Sequence, residues 1–418
     1  MLEGSGTGAR ILLYSQDGFG LGHMRRANSI ARGLLEARPD AAVLTVLDSP
    51  LGAFFQPGPG QDCVKLPSIV KVGAGVWTSP GLPLPVGDVA ALRSLLLQHV
   101  TAGFKPDLML VDHMPHGAGG ELLPVLEQLR SGASSTRTVL GLRDIIDAPE
   151  VVHQVWTQEG AYHALEHFYD GILIYGRRDV FDPVKRYGFP SSVVARTHFT
   201  GYVTTPDRAR YANRVRSRFS RQGGAERKLL VATAGGGKDG YPMMRAVLDA
   251  IPILRAEHPW SAVLITGPFL PRDLRRDLER RGRAVHVTVK ASVSDPLSYI
   301  DAADVVVGMA GYGSTMEALR SGTPFVLTPR EGPSAEQRMR AGRFAGRGWA
   351  GCVERKDLGG EQLAAAVLAQ IGSGRSQVRP PTDGLASAVS RLLAILDDRP
   401  AADSPTESAD PAVLVPMG

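Results

Sequence analysis

Cysteine is nearly absent from this chain, and so are long apolar runs. Cys63 and Cys352 are the only cysteines among 418 residues, which excludes a disulfide-stabilised scaffold and is typical of a reducing compartment. No apolar run approaches the roughly 20 residues of a membrane-spanning helix. The first residues, MLEGSGTGAR, lack the apolar segment of a signal peptide. The sequence also shows no apolar cluster that would be exposed, so we expect a cytoplasmic location and no membrane association.

A strong excess of charge of one sign is lacking as well. The 47 Lys and Arg residues exceed the 42 Asp and Glu residues by a formal charge of only +5. Such a balance tolerates an anionic substrate but does not favour a nucleic-acid partner. The hydrophobic content of 43% and the charged content of 21% are ordinary for a globular protein. The abundance of Arg, Ala and Gly indicates a GC-rich bacterial genome.

Short apolar runs alternate with segments of helical periodicity along most of the chain. The runs include RILLY, AVLTVL, LMLVD, TVLGLR and GILIYG in the first half and KLLVATA, AVLITG, VHVTV, DVVVGMA and PFVLTP in the second. This alternation is typical of parallel α/β sheets, and two such series predict two Rossmann-like domains with a C-terminal helix. The predicted divisions are a disordered tail (1–9), a first domain (10–203), a linker (204–227), a second domain (228–372), a linker with a final helix (373–398) and a disordered tail (399–418).

A glycine-rich turn joins the first predicted strand to a helix. Gly18, Gly20 and Gly22 alternate there and precede His23. A phosphate-binding P-loop needs Gly-Lys-Ser/Thr, which is absent. A dinucleotide site would agree with Asp48 at the end of the second strand, but its glycine spacing is different. A third interpretation makes His23 a general base that the helix dipole keeps neutral, and a capping or packing role stays open.

The second domain has a similar turn, AGYGST, after the strand DVVVGM. Ser314 and Thr315 are good residues for the first turn of a helix, where their N–H groups can hold a diphosphate. Glu317 cannot bind phosphate, because both are negative, but its carboxylate suits a ribose diol.

Two more loops of this domain carry candidate ligand contacts. Glu336 and Gln337 open a helix after PFVLTP, where they can hydrogen-bond sugar hydroxyls. Gly235 and Gly236 follow the first strand of the domain, at the sheet edge where such folds bind ligands. Lys238 in the same loop can neutralise a phosphate, or it is simply exposed.

Polar residues also end two strands of the first domain. Asp112, His113 and His116 follow LMLV with a spacing that resembles a metal site, but zinc needs three or four well-placed ligands. Contact with an acceptor, orientation of His23 by Asp112, or capping of the strand end are the alternatives. Arg143 and Asp144 end the next strand, where they either contact an acceptor or serve structurally, Asp144 as a helix cap and Arg143 as a packing or ion-pair residue.

The motifs GFGLGH, GYGSTMEALRSGTPFVLTP and EQRMRA resemble those of glycosyltransferases with the GT-B fold. They are most similar to family 28, the branch that includes a bacterial peptidoglycan N-acetylglucosaminyltransferase, and the resemblance extends over nearly all of 10–372. The family has two facing Rossmann-like domains, with the nucleotide sugar on the second.

The resemblance also implies roles for individual residues. Glu317 would bind the ribose hydroxyls, and Gly313, Ser314 and Thr315 would face the diphosphate. Glu336 and Gln337 would touch the donor sugar, and Val293 in KASVSDP would contact the base. His23 matches the histidine of the first glycine loop.

We therefore expect an inverting, metal-independent glycosyltransferase without a cofactor. Its donor would be UDP-N-acetylglucosamine or another UDP-sugar, and its acceptor a hydroxyl or amine of an unidentified natural product or polysaccharide precursor. The loop DGFGLGH differs from the GGTGGH usual in the family, and LMLVDHMPHG is not in its pattern, so the acceptor is expected to differ. A sugar-nucleotide hydrolase, a 2-epimerase and a non-catalytic sensor are the alternatives.

Overall fold

Two parallel β-sheets organise the protein. The structure is a computed structural model, and it describes residues 8–16, 22–49, 57–73, 76–131, 134–220, 227–372 and 381–398. Within these ranges the first half forms a seven-stranded sheet and the second half a six-stranded sheet, with a small antiparallel hairpin beside the first. Each apolar run quoted above contains or overlaps a strand, so the predicted α/β class is confirmed.

The strands of the first half are mostly buried, because helices cover both faces of a parallel sheet. They are β1 (Arg10–Ser15), β2 (Ala42–Leu47), β3 (Gln61–Lys65), the hairpin β4 (Val70–Gly73) and β5 (Val76–Thr78), β6 (Leu108–Asp112), β7 (Arg137–Arg143), β8 (Gly171–Tyr175) and β9 (Thr197–Phe199). The helices are α1 (Gly22–Ala37), α2 (Val86–Phe104), α3 (Leu123–Arg130), α4 (Pro149–Gln158), α5 (Ala161–Phe168), α6 (Pro183–Arg186) and α7 (Ser191–Val194). The order in the sheet is β3-β2-β1-β6-β7-β8-β9.

The second half repeats this plan after helix α8 (Ala212–Ser220). Its strands are β10 (Lys228–Thr233), β11 (Trp260–Ile265), β12 (Thr288–Lys290), β13 (Val305–Gly308), β14 (Phe325–Leu327) and β15 (Gly351–Cys352). Its helices are α9 (Tyr241–Glu257), α10 (Arg272–Ala284), α11 (Pro296–Ala302), α12 (Tyr312–Ser321), α13 (Glu336–Ala345) and α14 (Gly360–Gly372), followed by α15 (Gly384–Asp397). The sheet order is β12-β11-β10-β13-β14-β15.

The order of each sheet creates a crevice at a definite place. In the first sheet the connections diverge between β1 and β6, and in the second between β10 and β13. Open parallel sheets bind ligands at such points, beyond the carboxyl ends of the strands. The three glycine loops singled out in the sequence follow β1, β10 and β13, and the polar strand ends belong to β6 and its neighbour β7.

Aromatic packing joins the two domains beneath that crevice. Tyr202 lies with its ring centroid 6.3 Å from that of Tyr312 and 5.9 Å from that of Phe344. The Tyr312 hydroxyl also accepts a 2.9 Å hydrogen bond from the Val203 N–H group. The domains therefore share one apolar core at this position.

The final helix α15 returns to the first domain. Val389 of α15 packs against Gly33 of α1, where even a Cβ atom would lie 2.8 Å from the Val389 side chain. Arg38, directly after α1, forms an ion pair with Asp397 at the end of α15. The segment 204–227, which the sequence analysis treated as a linker, contains α8, and α8 packs against α11 of the second domain.

Helix α2 presents an apolar face to solvent, which the sequence analysis did not expect. Leu92, Leu95 and Leu96 on this helix are exposed, as are Leu84 and Val86 before and at its start. Within the described ranges, none of the helices combines the length and the apolar character that crossing a membrane requires.

Candidate functional site

A cleft of about 720 Å³ lies between the two domains. Its first wall is built by α1, α4 and the loops after β6 and β7, and its second by the loops after β10, β13 and β14. The two topological crevices therefore open into one space.

His23 stands in the first turn of α1 and lines this cleft. Its Nδ1 atom lies 2.6 Å from Oδ2 of Asp112, the last residue of β6. Asp112 is 4% exposed, and both its oxygens also accept hydrogen bonds of 2.8 Å from Arg26. The structure thus brings together His23 and Asp112, which are 89 residues apart in sequence.

The contacts of Asp112 and of Nδ1 of His23 bear on which ring nitrogen carries the histidine proton, and Nη2 of Arg26 also lies 2.8 Å from Nδ1. Burial alone would raise the pKa of Asp112, but the charges of Arg26 and His23 outweigh it and hold that pKa below its ordinary value. Because two unprotonated acceptors at 2.6 Å would repel each other, we take the tautomer in which Nδ1 of His23 carries the proton and donates it to Asp112. Nε2 is then the ring atom that can accept a proton, as a general base requires.

His113 and Arg143 extend the same wall. The His113 ring lies 4.9 Å from the His23 ring, and its Nε2 atom is 3.2 Å from Nη2 of Arg143. His113 has a φ of 79°, a left-handed backbone that non-glycine residues seldom adopt. Arg143 in turn reaches across the cleft and lies 2.6 Å from the carboxylate of Glu336. Both candidates therefore line the cleft, and Arg143 bridges the two domains.

Asp144 and Thr315, also candidates, do not contribute to the cleft. Asp144 is 2% exposed, and Arg340 binds both its carboxylate oxygens at 2.6 and 3.0 Å. Its carboxylate is therefore occupied by Arg340 away from the cleft, and Ala148 rather than Asp144 caps the next helix, so neither the acceptor contact nor the helix cap matches its position. Thr315 is fully buried, and its N–H group donates to the carbonyl of Gly311 at 3.1 Å. Because α12 uses that N–H internally, it is not available to a diphosphate.

The other donor-side candidates all face the cleft. Gly313 and Ser314 lie in the first turn of α12, with open space around the position of a Gly313 Cβ atom. The remaining cleft-lining candidates of the second domain are Gly235, Gly236, Lys238, Val293, Glu336 and Gln337. Of the first glycine loop, Gly22 lines the cleft as the first residue of α1, whereas Gly18 and Gly20 lie outside the described residues.

Glu317 lies one turn further along α12 and is held by the first domain. Its Oε1 atom is 2.9 Å from Nη2 of Arg25, which belongs to α1. Burial raises the pKa of Glu317 despite the opposing charges of Arg25 and Arg320. Glu336 behaves differently, since its pKa is lowered: there burial is outweighed by Arg143, Arg340 and Arg330.

Asp48, which left a dinucleotide site open, is fully buried inside the first domain. Arg93 donates to it at 3.1 Å and also pairs with Glu121 at 2.7 Å. Tyr14 completes this internal network through a 2.6 Å hydrogen bond to Glu121. Asp48 does not line the cleft, so it cannot bind a ribose there.

The three polar residues at the end of β6 and in the loop after it contact different partners. Asp112 points to His23 and Arg26, His113 to Arg143, and His116 lies 3.3 Å from Glu159. Among the described residues, no group of three or more His, Cys, Asp and Glu side chains is arranged to hold a metal ion.

The sequence analysis missed the arginines of the cleft, above all Arg25 and Arg26. A signal for them exists: cations are unfavourable near the start of a helix, yet two consecutive arginines are the fourth and fifth residues of α1. It also missed an apolar wall on the first domain. That wall is lined by Met114, Ile146, Val151, Val152, Val155 and Trp156.

Comparisons with known proteins agree with this architecture. Residues 230–383 match the glycosyltransferase family 28 C-terminal domain. A relative from Bacillus subtilis (strain 168), UDP-N-acetylglucosamine--N-acetylmuramyl-(pentapeptide) pyrophosphoryl-undecaprenol N-acetylglucosamine transferase, is 28% identical over 179 residues. That alignment covers 42% of this chain and 49% of the relative, so the chain spans about half the length of the curated relatives it matches.

Solved structures resemble the whole chain. The calicheamicin glycosyltransferase CalG4 has a TM-score of 0.58 at 16% identity, covering 94% of this chain and 99% of that one. MurG of Acinetobacter baumannii has a TM-score of 0.55 at 13% identity, covering 92% and 99%. The two Rossmann-like domains of the GT-B fold are thus confirmed, as is the resemblance to family 28.

Proposed function

We propose, from the glycosyltransferase family 28 match of the second domain, that this protein transfers a sugar from a nucleotide-diphosphate donor to an acceptor hydroxyl or amine. A UDP-sugar is the proposed donor, with UDP-N-acetylglucosamine the first choice because the curated relative is named for it. The apolar wall of the first domain favours an acceptor with an apolar face. A natural product and a polysaccharide precursor both meet that description.

One observation carries the proposal. The cleft places a histidine–carboxylate pair, His23 with Asp112, opposite a helix mouth with a buried carboxylate, formed by Ser314 and Glu317. The first pair is suited to proton abstraction, and the second to binding a diphosphate and a ribose.

The proposed mechanism follows from these positions. Asp112 holds the Nδ1 proton of His23, and Nε2 takes the proton of the acceptor nucleophile. That nucleophile attacks the anomeric carbon while the bond from this carbon to the diphosphate oxygen breaks. Attack opposite to the leaving group inverts the anomeric configuration. The N–H groups at the mouth of α12 stabilise the departing diphosphate, so no divalent metal is needed for this step.

Donor binding is tested by calorimetry with UDP and, separately, NAD⁺. Glu317→Ala should weaken UDP binding at least several-fold, since unmet ribose hydroxyls cost about 1–3 kcal/mol. Glu257→Ala is the matched control, because Glu257 is exposed on α9 of the same domain. Equal UDP affinity of the folded Glu317→Ala variant, or binding of NAD⁺ but not UDP, would contradict the proposal.

Turnover is tested by incubating the wild type with UDP-sugars and a panel of acceptors, with mass spectrometry of the products. Acceptor-dependent release of UDP is expected, with a glycosylated product. Release of UDP at the same rate without acceptor would indicate a hydrolase instead. Conversion of the sugar without any UDP release would indicate a 2-epimerase, and binding without turnover a sensor.

A further inference from the structure

Arg25 of the first domain forms an ion pair with a carboxylate of the second domain in the lining of the cleft. Its guanidinium contacts Glu317 through two nitrogens, Nη2 at 2.9 Å from Oε1 and Nη1 at 3.5 Å from Oε2. The Glu317 side chain is only 7% exposed, whereas that of Arg25 is 39% exposed and lines the cleft. Arg25 therefore has room to move, and Glu317 does not.

The position of Arg25 on its own helix is unfavourable. It lies in the first turn of α1, where the helix dipole disfavours positive charge, and that turn contains no acidic residue. Helix α1 itself therefore gives no reason for an arginine at this place.

The geometry of α12 puts Arg25 close to the place proposed for the diphosphate. Ser314 and Glu317 are three residues apart on this helix, so their Cβ atoms are about 5–6 Å apart on one face. A guanidinium that rests on Glu317 can reach the helix mouth by rotating its own side chain. At that point it would meet phosphate oxygens, which an arginine binds in a bidentate manner.

We propose that Arg25 exchanges partners when the donor binds: it holds Glu317 in the empty cleft and the donor diphosphate in the occupied one. This inference rests on the proposed function, because it takes Glu317 as the ribose-binding carboxylate. The ribose hydroxyls replace the guanidinium on Glu317, and the diphosphate receives a cation from the opposite domain. Arg25 then neutralises the charge that develops on the diphosphate as its bond to the anomeric carbon breaks.

The partner exchange gives opposite expectations for two ligands. Uridine carries the ribose but no phosphate. Its binding must therefore displace Arg25 from Glu317 without offering the guanidinium a phosphate in exchange. Arg25→Met should leave uridine affinity unchanged or raise it by up to several-fold, while it weakens UDP by about tenfold or more. Turnover with a UDP-sugar should fall as well, and Arg25→Lys should restore it only in part because the bidentate contact is lost.

Arg32→Met is the matched control. Arg32 also belongs to α1, its side chain is 38% exposed, and it pairs with Asp207 at 2.8 Å outside the cleft. Calorimetry with uridine and with UDP is carried out on the wild type and on both variants, after thermal unfolding has shown that they are folded. The control should match the wild type with both ligands.

Two results would overturn the partner exchange. One is UDP affinity of Arg25→Met equal to that of Arg32→Met, which would make Arg25 a tether between the domains. The other is equal weakening of uridine and UDP, which would place Arg25 on the nucleoside rather than the diphosphate. Failure of the wild type itself to bind UDP would instead contradict the proposed function.

Discussion

Arg340 of the second domain and Asp144 of the first form a two-pronged ion pair with both side chains buried. The Nε and Nη2 atoms of Arg340 lie 3.0 and 2.6 Å from the two oxygens of Asp144, and Nη1 donates to the carbonyl of Ala310 at 2.7 Å. This pair joins the end of β7 to α13 beneath the cleft. It therefore helps to set the separation between the two walls that carry His23 and Glu336.

The first prediction concerns this pair. Arg340→Met should lower the free energy of unfolding by about 3–5 kcal/mol, because Asp144 is left buried without a counter-charge. Arg338→Met, on the exposed face of the same helix, should change it by less than about 0.5 kcal/mol. Urea denaturation measures both. The double variant Asp144→Leu/Arg340→Met should recover much of the loss, since an apolar pair has no charge to desolvate.

The second prediction is a pH dependence of stability that comes from Asp112. Its folded-state pKa is lower than the ordinary value of 3.8, because Arg26 and His23 outweigh the effect of burial. The unfolded chain therefore takes up the proton first as the pH falls. The stabilisation is fully present above about pH 4 and is lost as the pH drops through the lower, folded-state pKa.

Asp112→Asn should accordingly cost about 3 kcal/mol of unfolding free energy at pH 7, where Arg26 loses its partner. The difference from the wild type should narrow below about pH 4. Asp207→Asn is the control, because Asp207 is half-exposed and its pair with Arg32 is worth at most about 1 kcal/mol. A difference from the wild type that stays constant between pH 3 and 7 would refute this role of the Asp112 charge.

The third prediction separates the histidine from donor binding. His23→Ala should reduce turnover by about 10²–10⁴-fold, as expected for loss of a general base. UDP affinity should stay within about twofold of the wild type, since His23 is not among the proposed donor contacts, which are residues of the second domain and Arg25. His167→Ala, at an exposed position on α5, should leave both unchanged. Wild-type turnover of His23→Ala would leave the base unassigned.

The fourth prediction is that turnover with a UDP-sugar survives EDTA. The proposed diphosphate contacts are N–H groups at the mouth of α12 and the cation Arg25, which need no divalent ion. Initial rates with EDTA and with added Mg²⁺ or Mn²⁺ should agree within about twofold. Complete loss on chelation with recovery on adding Mn²⁺ would contradict this expectation.

The sequence by itself determined the layers of this protein. Apolar runs such as RILLY and DVVVGMA become buried parallel strands, because a parallel sheet covered on both faces selects continuous hydrophobic segments. The alternation of apolar runs with helical segments also placed Gly22, His23 and Asp112 at the ends of neighbouring strands. It placed Ser314 and Glu317 at the start of a helix in the second domain. Short edge strands such as β3, β9 and β15 were not predicted, because they are only partly buried and give little periodicity.

Only the tertiary structure decided which of these residues act together. Arg25 and Glu317 are 292 residues apart, and Asp144 and Arg340 are 196 apart, so each pairing depends on how two separate domains pack. Which residues of a helix face the cleft was also decided by the tertiary structure. The Thr315 N–H group donates to the carbonyl of Gly311, whereas the neighbouring Ser314 lines the cleft. Local sequence patterns specify strands and helix ends because those depend on neighbouring residues. Partners across the cleft depend on contacts that no local pattern contains.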